Sequence, residues 1–283
     1  MRENMAGMLY LCATPIGNLE DITLRVLRML EEADVIAAED TRQTIKLLNH
    51  YEIKTPLISY HEHNKYEKTP ILVNRLLSGE MIALVTDAGT PAISDPGEEL
   101  VRACYEAGIE VTSLPGASAV ITALTLSGMN ARRFTFEGFL PTDKKERTAV
   151  LERLAGTTCT TVFYEAPHRL LKTLQLFVDT VGGERKIAVC KELTKKHENA
   201  LHFTLQEAVA YFTTNEPKGE FVLVLEGADA AVLLQETHEK WQEMPLGEHM
   251  EFYMSQGISK KDAMKQVAKD RGVSKRDVYN ALL

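Results

Sequence analysis

Short apolar runs and amphipathic stretches alternate along the first 115 residues. The apolar runs lie at 8–13, 34–38, 56–59, 81–85 and 109–114, and the stretches between them, 24–30, 44–48, 71–77 and 100–105, carry apolar positions at helical spacing. This β–α rhythm predicts a mostly parallel sheet with helices on both faces. The apolar runs are nearly continuous rather than alternating, which fits strands buried on both sides.

The rhythm changes after Pro115-Gly116. A helix is expected over 117–126, opened by Gly116, then strands at 134–139 and 160–164 with helices near 146–154 and 168–177. Three further strand signals follow at 186–190, 200–203 and 221–225, and a neighbouring pair with little chain between them implies antiparallel pairing. That departs from a barrel. The expected fold class is therefore α/β, with two α/β domains: 1–115 with a mostly parallel sheet and 116–227 with a mixed one. Residues 228–283 read as a helical tail. Ser259 with Asp262 and Ser274 with Asp277 have helix N-cap spacing, and Gly272-Val273 between them gives a helix–turn–helix outline. Such an outline points to nucleic-acid contact or, alternatively, to a small bundle packed on the main body.

Composition narrows the class. The chain has 283 residues, 45% hydrophobic and 25% charged, an ordinary globular mix. No apolar run approaches the roughly 20 residues of a membrane span, and a short apolar start with Glu3 argues against a secretory signal. Cys12, Cys104, Cys159 and Cys190 are far apart, so reduced thiols of a cytoplasmic protein are expected, with no disulfide framework or zinc site. The formal charge of −8 argues against general nucleic-acid coating. It is unevenly placed, however. Acidic residues dominate 226–252, whereas 259–283 carries Lys260, Lys261, Lys265, Lys269, Arg271, Lys275 and Arg276 against three aspartates.

Ligands of open parallel sheets bind beyond the carboxyl ends of the strands. Here those ends read Thr14-Pro15-Ile16-Gly17-Asn18, Glu39-Asp40-Thr41-Arg42, Tyr60-His61-Glu62-His63, Thr86-Asp87-Ala88-Gly89-Thr90-Pro91 and Pro115-Gly116-Ala117-Ser118. Glycine, proline, hydroxyl and charged residues gather on one edge and mark it as a site. No G-x-G-x-x-G or Walker-type loop is present, which removes support for nicotinamide cofactors and ordinary P-loop nucleotides. The His61-Glu62-His63 spacing fits no tetrahedral metal site. In Phe163-Tyr164-Glu165-Ala166-Pro167-His168-Arg169, Pro167 suits a first helical turn. Tyr164 and Glu165 would then face the interdomain cleft, or else cap the helix and pack in the core.

Together the segments ATPIGNLEDIT, AAEDTR, LISYHEHN, TDAGTPAISDPG, LPGAS, FEGFLP, FYEAPHR, KELTK and PKGEFVLVLEG resemble the ribosomal RNA small-subunit methyltransferase branch of the tetrapyrrole methylase superfamily. The likeness runs from about Met8 to Gly227, and the helical tail is also similar to that branch. It implies an S-adenosylmethionine-dependent enzyme that methylates a cytidine ribose 2′-hydroxyl in the decoding centre of 16S rRNA, within the small ribosomal subunit. It also implies two α/β domains with the cofactor in the cleft between them, and a homodimer. Wider relatives act on precorrins or the diphthamide precursor. Many corrin-pathway relatives carry G-x-G-P-G where this chain has Thr14-Pro15-Ile16-Gly17-Asn18, as in the ribosomal branch, which disfavours a tetrapyrrole substrate. By motif match the cofactor would meet Pro15, Asp87, Ala88, Gly89, Thr90, Ile93, Ser118, Ala119, Tyr164 and the Lys218-Gly219-Glu220 turn.

Methyl transfer to a hydroxyl needs alignment and a route for the proton. On the site edge Asp40, Glu39, His61 and Glu165 are candidate bases, with Asp40 and Glu165 favoured. RNA would be held by Arg42, Lys46, Arg132-Arg133, Lys144, Lys145 and Arg147, and by Lys260 and Lys261 of the tail. Two rivals remain. A small-molecule methyltransferase for a precorrin-type tetrapyrrole predicts a deep apolar second pocket. A non-catalytic nucleic-acid-binding module predicts no S-adenosylmethionine binding.

Overall fold

The computed structural model describes residues 7–283, with the side chains at 236–238 and 240 excepted. The expectation resting on Glu3 lies outside the described residues. The first sheet holds β1 (Met8–Cys12), β2 (Val35–Ala38), β3 (Leu57–Ser59), β4 (Ile82–Val85) and β5 (Glu110–Leu114), connected by α1 (Leu24–Glu32), α2 (Thr41–His50), α3 (Lys65–Leu77) and α4 (Gly97–Glu106). Its order is β3-β2-β4-β1-β5 and every pair is parallel. Alternation along each strand feeds two cores. Leu9, Leu11, Ile82 and Leu84 meet Leu72, Leu76 and Leu100 of α3 and α4. Cys12, Ile36, Ala38 and Val85 meet Val26, Leu30 and Leu48 of α1 and α2. The parallel order forces the chain to cross over neighbouring strands, so the ends of β1, β4 and β5 open onto one crevice.

After α5 (Ala119–Leu126), the second sheet is built from β6 (Phe134–Phe139), β7 (Thr160–Glu165), β8 (Lys186–Lys191), β9 (Asn199–Thr204) and β10 (Phe221–Leu225) in the order β6-β7-β10-β8-β9. Only β6 and β7 run parallel; the other pairs are antiparallel. One face, with Phe163, Leu223 and Val189, is covered by α6 (Lys144–Gly156), α7 (Pro167–Val181) and α8 (Leu205–Thr214). The other face, with Val162, Val222 and Val224, packs on Val120, Ala123 and Leu124 of α5 and on Ile16 from the first loop. That second face closes the crevice.

The tail consists of α9 (Ala230–Glu243), α10 (Leu246–Ser255), α11 (Lys260–Asp270) and α12 (Lys275–Ala281). Ser259 and Ser274 accept hydrogen bonds from the Asp262 and Asp277 backbone N–H groups, as capping residues do. Met250, Ala263, Val267, Ala268 and Val278 form a core belonging to the tail itself. Beside it His249, fully buried, stacks on Trp241 with ring centroids 4.0 Å apart and planes 5° from parallel. Among the described residues no helix is long and apolar enough to cross a membrane.

Candidate active site

The loops after β1 and β4 are tied together first. Thr14 and Gly89 exchange backbone hydrogen bonds of 2.9 and 3.1 Å, and the Thr14 hydroxyl donates to the Thr86 carbonyl at 3.2 Å. Gly89 has φ +88°, a conformation that favours glycine. The Thr90 hydroxyl donates to the Ala117 carbonyl at 3.1 Å, joining the loop after β5 to the same unit. Further along, Ala92 and Ser94 hold φ of 64° and 65°. Such non-glycine residues cost on the order of 1–3 kcal/mol each and persist only where the surroundings fix them. Here Asp95 supplies the fixing, because its Oδ1 accepts from the N–H groups of Ala92 and Gly97 at 2.7 and 3.1 Å. Burial pushes the Asp95 carboxyl above its usual acidity range.

A polar chain runs from β4 to β2. The Thr86 hydroxyl donates to Glu39 Oε2 at 2.6 Å, and the Asp87 carboxylate accepts the Asp40 N–H at 3.0 Å. Burial raises the Asp87 pKa, with Glu39 and Asp40 adding in the same direction. Asp40 behaves oppositely. It caps α2 and takes three hydrogen bonds from Arg42, through the backbone N–H, Nε and Nη2, at 2.8 to 3.0 Å. Those bonds bring its pKa down to about 2.

On the opposite wall Pro167 opens α7 at its first turn. The Glu165 side chain is fully covered. Its oxygens accept from the Ala166 N–H at 2.8 Å and the Thr173 hydroxyl at 2.6 Å, with Arg169 Nε at 3.5 Å. Tyr164 stands between Phe136 and Phe139, at centroid distances of 4.9 and 5.6 Å. Lys195 bridges Glu192 and Glu220 at 3.1 and 2.9 Å. Against this group sits Gly17, where a Cβ would lie 2.5 Å from Lys195 Cγ and 2.9 Å from the Leu193 carbonyl oxygen.

These walls enclose a cavity of about 530 Å³. Of the residues expected at a cofactor, Asp87, Ala88, Gly89, Thr90, Ile93, Ser118, Ala119, Tyr164 and Glu220 line it. Pro15, Lys218 and Gly219 do not. Ile16 stands on the wall in place of Pro15, Lys218 points to Glu216 at 3.1 Å, and Gly219 packs against Glu192. Glu39 lines the cavity while Asp40 lies off it, and Glu165 borders it with its carboxylate occupied. His61, beyond β3, is not on the wall; its Nδ1 is buried without a hydrogen-bond partner. Arg42 is engaged by Asp40, and Lys46 donates to Gln43 at 2.9 Å. Sequence reasoning assigned no site role to Ser94, Asp95, Phe139, Leu193, Phe221 and Val222, which also line the cavity. Phe221 and Val222 arrive by strand register, opposite Glu165 and Tyr164, which an apolar run alone does not reveal. Glu39, Asp87, Asp95, Glu165 and Glu220 are among the lining residues, and no lysine, arginine or histidine is; the Glu165 carboxylate is taken up by Ala166, Thr173 and Arg169, and that of Glu220 by Lys195. That donor set suits a cationic ligand.

The family model of the Tetrapyrrole (Corrin/Porphyrin) Methylases matches residues 8–209. The chain belongs to this family. Within it, the chain is 52% identical over 274 residues to the ribosomal RNA small subunit methyltransferase I of Halalkalibacterium halodurans, covering 97% of this chain and 94% of that protein. It is 49% identical to the protein of the same name from Synechocystis sp., covering 98% of each. Among solved structures, cobalt precorrin-4 methyltransferase superposes with a TM-score of 0.58 at 19% identity, over 77% of this chain and 94% of that one. Uroporphyrin-III C-methyltransferase from Thermus thermophilus, complexed with S-adenosyl homocysteine, superposes at 0.54 with 18% identity, over 77% and 97%. The family match ends before β10, so the Glu220–Val222 part of the wall is covered by the full-length relatives rather than by the family model.

Proposed function

We propose that this methylase transfers a methyl group from S-adenosylmethionine to the 2′-hydroxyl of a cytidine in the decoding centre of 16S rRNA, within the small ribosomal subunit and in the cytoplasm. The observation that carries the reading is the cavity, whose first-sheet wall carries Glu39, Asp87 and Asp95 and which no cationic side chain lines. S-adenosylmethionine bears a sulfonium and an ammonium, and that wall suits both. The relatives' shared name supplies the rRNA substrate.

When bound, the cofactor supplies an electrophilic methyl carbon. The chain's own residues hold and orient the reactants. Gly89, Thr90, Ser118 and Ala119 present backbone and hydroxyl groups from the first sheet, and Tyr164, Leu193 and Val222 close the apolar side. Asp87 and Asp95 both line the cavity with raised pKa values, but Asp95 is committed to the backbone N–H groups of Ala92 and Gly97, which leaves Asp87 as the carboxylate to receive the hydroxyl proton. Asp40 and Glu165 act by position: one fixes Arg42 and the start of α2, the other locks the start of α7. Lys144, Lys145, Lys260 and Lys261, with Arg42 and Lys46 at the rim, supply the positive charge for rRNA. The reading includes a pair of chains, as the resemblance implies.

The test is transfer from methyl-labelled S-adenosylmethionine to small subunits from a strain lacking this protein, followed by nucleoside analysis. The expected product is 2′-O-methylcytidine. Cofactor binding without transfer to subunits sinks the proposal.

A further inference from the structure

β6 contains a bulge with a chemical consequence. Phe136 pairs with Val162, but Gly138 pairs with Phe163 and Phe139 with Tyr164, so Glu137 is an extra residue in the strand. In a regular strand Phe136 and Phe139 would project from opposite faces. The extra residue turns both toward Tyr164. Bulges beside active sites commonly re-aim a side chain in this way. Two features hold the irregularity. Arg153 of α6 binds the Glu137 carboxylate at 3.0 Å, and Gly138 takes φ +64° with its Cα side turned to Ser94, whose Oγ would lie 3.4 Å from a Cβ there.

The product of this distortion is a phenyl ring that lines the cavity and remains 53% exposed. Core packing does not account for Phe139, since half of it faces solvent. Its edge contact with Tyr164 fixes the ring's orientation and leaves the rest of it open at the cleft. The chain then turns through Pro141 and Thr142, whose carbonyls accept from Arg147, and reaches Lys144 and Lys145, exposed cations without an ion pair among the described residues. An open aromatic face followed by a pair of cations is the arrangement that proteins use to stack an unpaired base and hold its flanking phosphates.

We infer that Phe139 is a stacking platform for the nucleobase of the nucleotide being methylated, drawn out of the RNA so that its ribose reaches the cavity. The inference rests on the rRNA reading above and names the subsite that reading lacks. The ligand chemistry is a planar nitrogen heterocycle. The cofactor's adenine shares it, and the experiment separates the two.

The full-length enzyme is compared with F139A, F139L and F139W. S-adenosylmethionine affinity is measured by calorimetry, and methyl transfer to small subunits by label incorporation at varied subunit concentration. The expected result for F139A and F139L is a loss of about tenfold to a hundredfold in kcat/KM for subunits, with cofactor affinity held within twofold and F139W close to wild type. Unchanged cofactor affinity also shows that the variants are folded. A parallel fall in cofactor affinity assigns the ring to the adenine and overturns the inference. So does an F139A enzyme that methylates subunits normally. Wild-type enzyme inactive on subunits overturns the parent reading and this one with it, a result distinct from either F139A outcome.

Discussion

Asp40 and Asp87 share a hydrogen bond and differ in acidity. Arg42 surrounds the first and drives its pKa down to about 2; burial and neighbouring carboxylates drive the second upward. On the proposed mechanism the two aspartates are expected to behave differently. At saturating S-adenosylmethionine, Asp87→Asn is expected to slow single-turnover methyl transfer by about 10²–10⁴-fold, a loss beyond any weakening of cofactor affinity, and to remove the acid limb of the pH–rate profile. Asp40→Asn, which keeps a capping side chain, should leave the rate within a factor of a few. There is also a stability sign. A carboxyl with a raised folded-state pKa favours folding at low pH, and that contribution is lost as pH rises through the raised value. The Asp87→Asn protein should therefore melt higher than wild type at neutral pH. His249 runs the other way. Arg271 Nε donates to its Nδ1 at 3.1 Å, so the ring proton belongs on Nε2, facing Asp270 at 3.3 Å. Burial lowers its pKa below the ordinary 6.5. Stability from this group is complete above that ordinary value and is lost as pH falls through the lowered one. A second proton would have to enter on Nδ1, against Arg271. Emission from Trp241, the only tryptophan, should report a loosened tail on acidification, and His249→Phe should abolish the response.

At the scale of elements, the parallel strands were legible because each is a compact apolar run. The expected helix over 71–77 is shorter than α3, which begins at Lys65. Pro70 reads as a boundary in sequence, yet the helix carries it in its interior, anchored by buried Thr69, Leu72 and Leu76 and by the Tyr60 hydroxyl against Thr69 at 2.9 Å. α8 was not foreseen, although Thr204 and Glu207 form a capping box and Leu205, Ala208 and Phe212 sit at helical spacing. The first loop carries its own prediction. Gly17→Ala would press a methyl group into the Leu193 carbonyl and Thr194 Oγ1, 2.9 and 2.8 Å away. The backbone atom cannot swing aside as the Lys195 side chain can. Overpacking of this kind costs about 1–3 kcal/mol, and because Ile16 and Leu193 both line the cavity, cofactor affinity should fall together with melting temperature.

For the molecule as a whole, the loops of the first sheet declared the site in sequence because glycine, proline and carboxylates cluster after successive strands. The opposing wall did not, since Phe139, Phe221 and Val222 acquire their places from a bulge and from antiparallel register. The tail is legible in its caps, its charge and its alternative reading as a small bundle, and that bundle has a core of its own. Of its aspartates, Asp262 and Asp277 are taken up by the caps and Asp270 by Tyr253 and His249. Lys260, Lys261, Lys269, Lys275 and Arg276 have no ion pair among the described residues. Deleting 259–283 should weaken binding to small subunits, steeply at low salt, and spare cofactor affinity. Equal subunit affinity after the deletion rules out an RNA role for the tail.

That charge separation also bears on how an encounter begins. With −8 on the whole chain and a cationic excess confined to its last helices, the remainder is more acidic than the total indicates. A phosphate surface repels the sheets and attracts the tail, and such fields act over about 10 Å at 0.1 M ionic strength. On the rRNA reading proposed above, a tail-first approach is expected. Charge reversal on α11 should then slow the association rate constant while leaving the dissociation rate of a docked enzyme nearly untouched, the signature of steering rather than of grip.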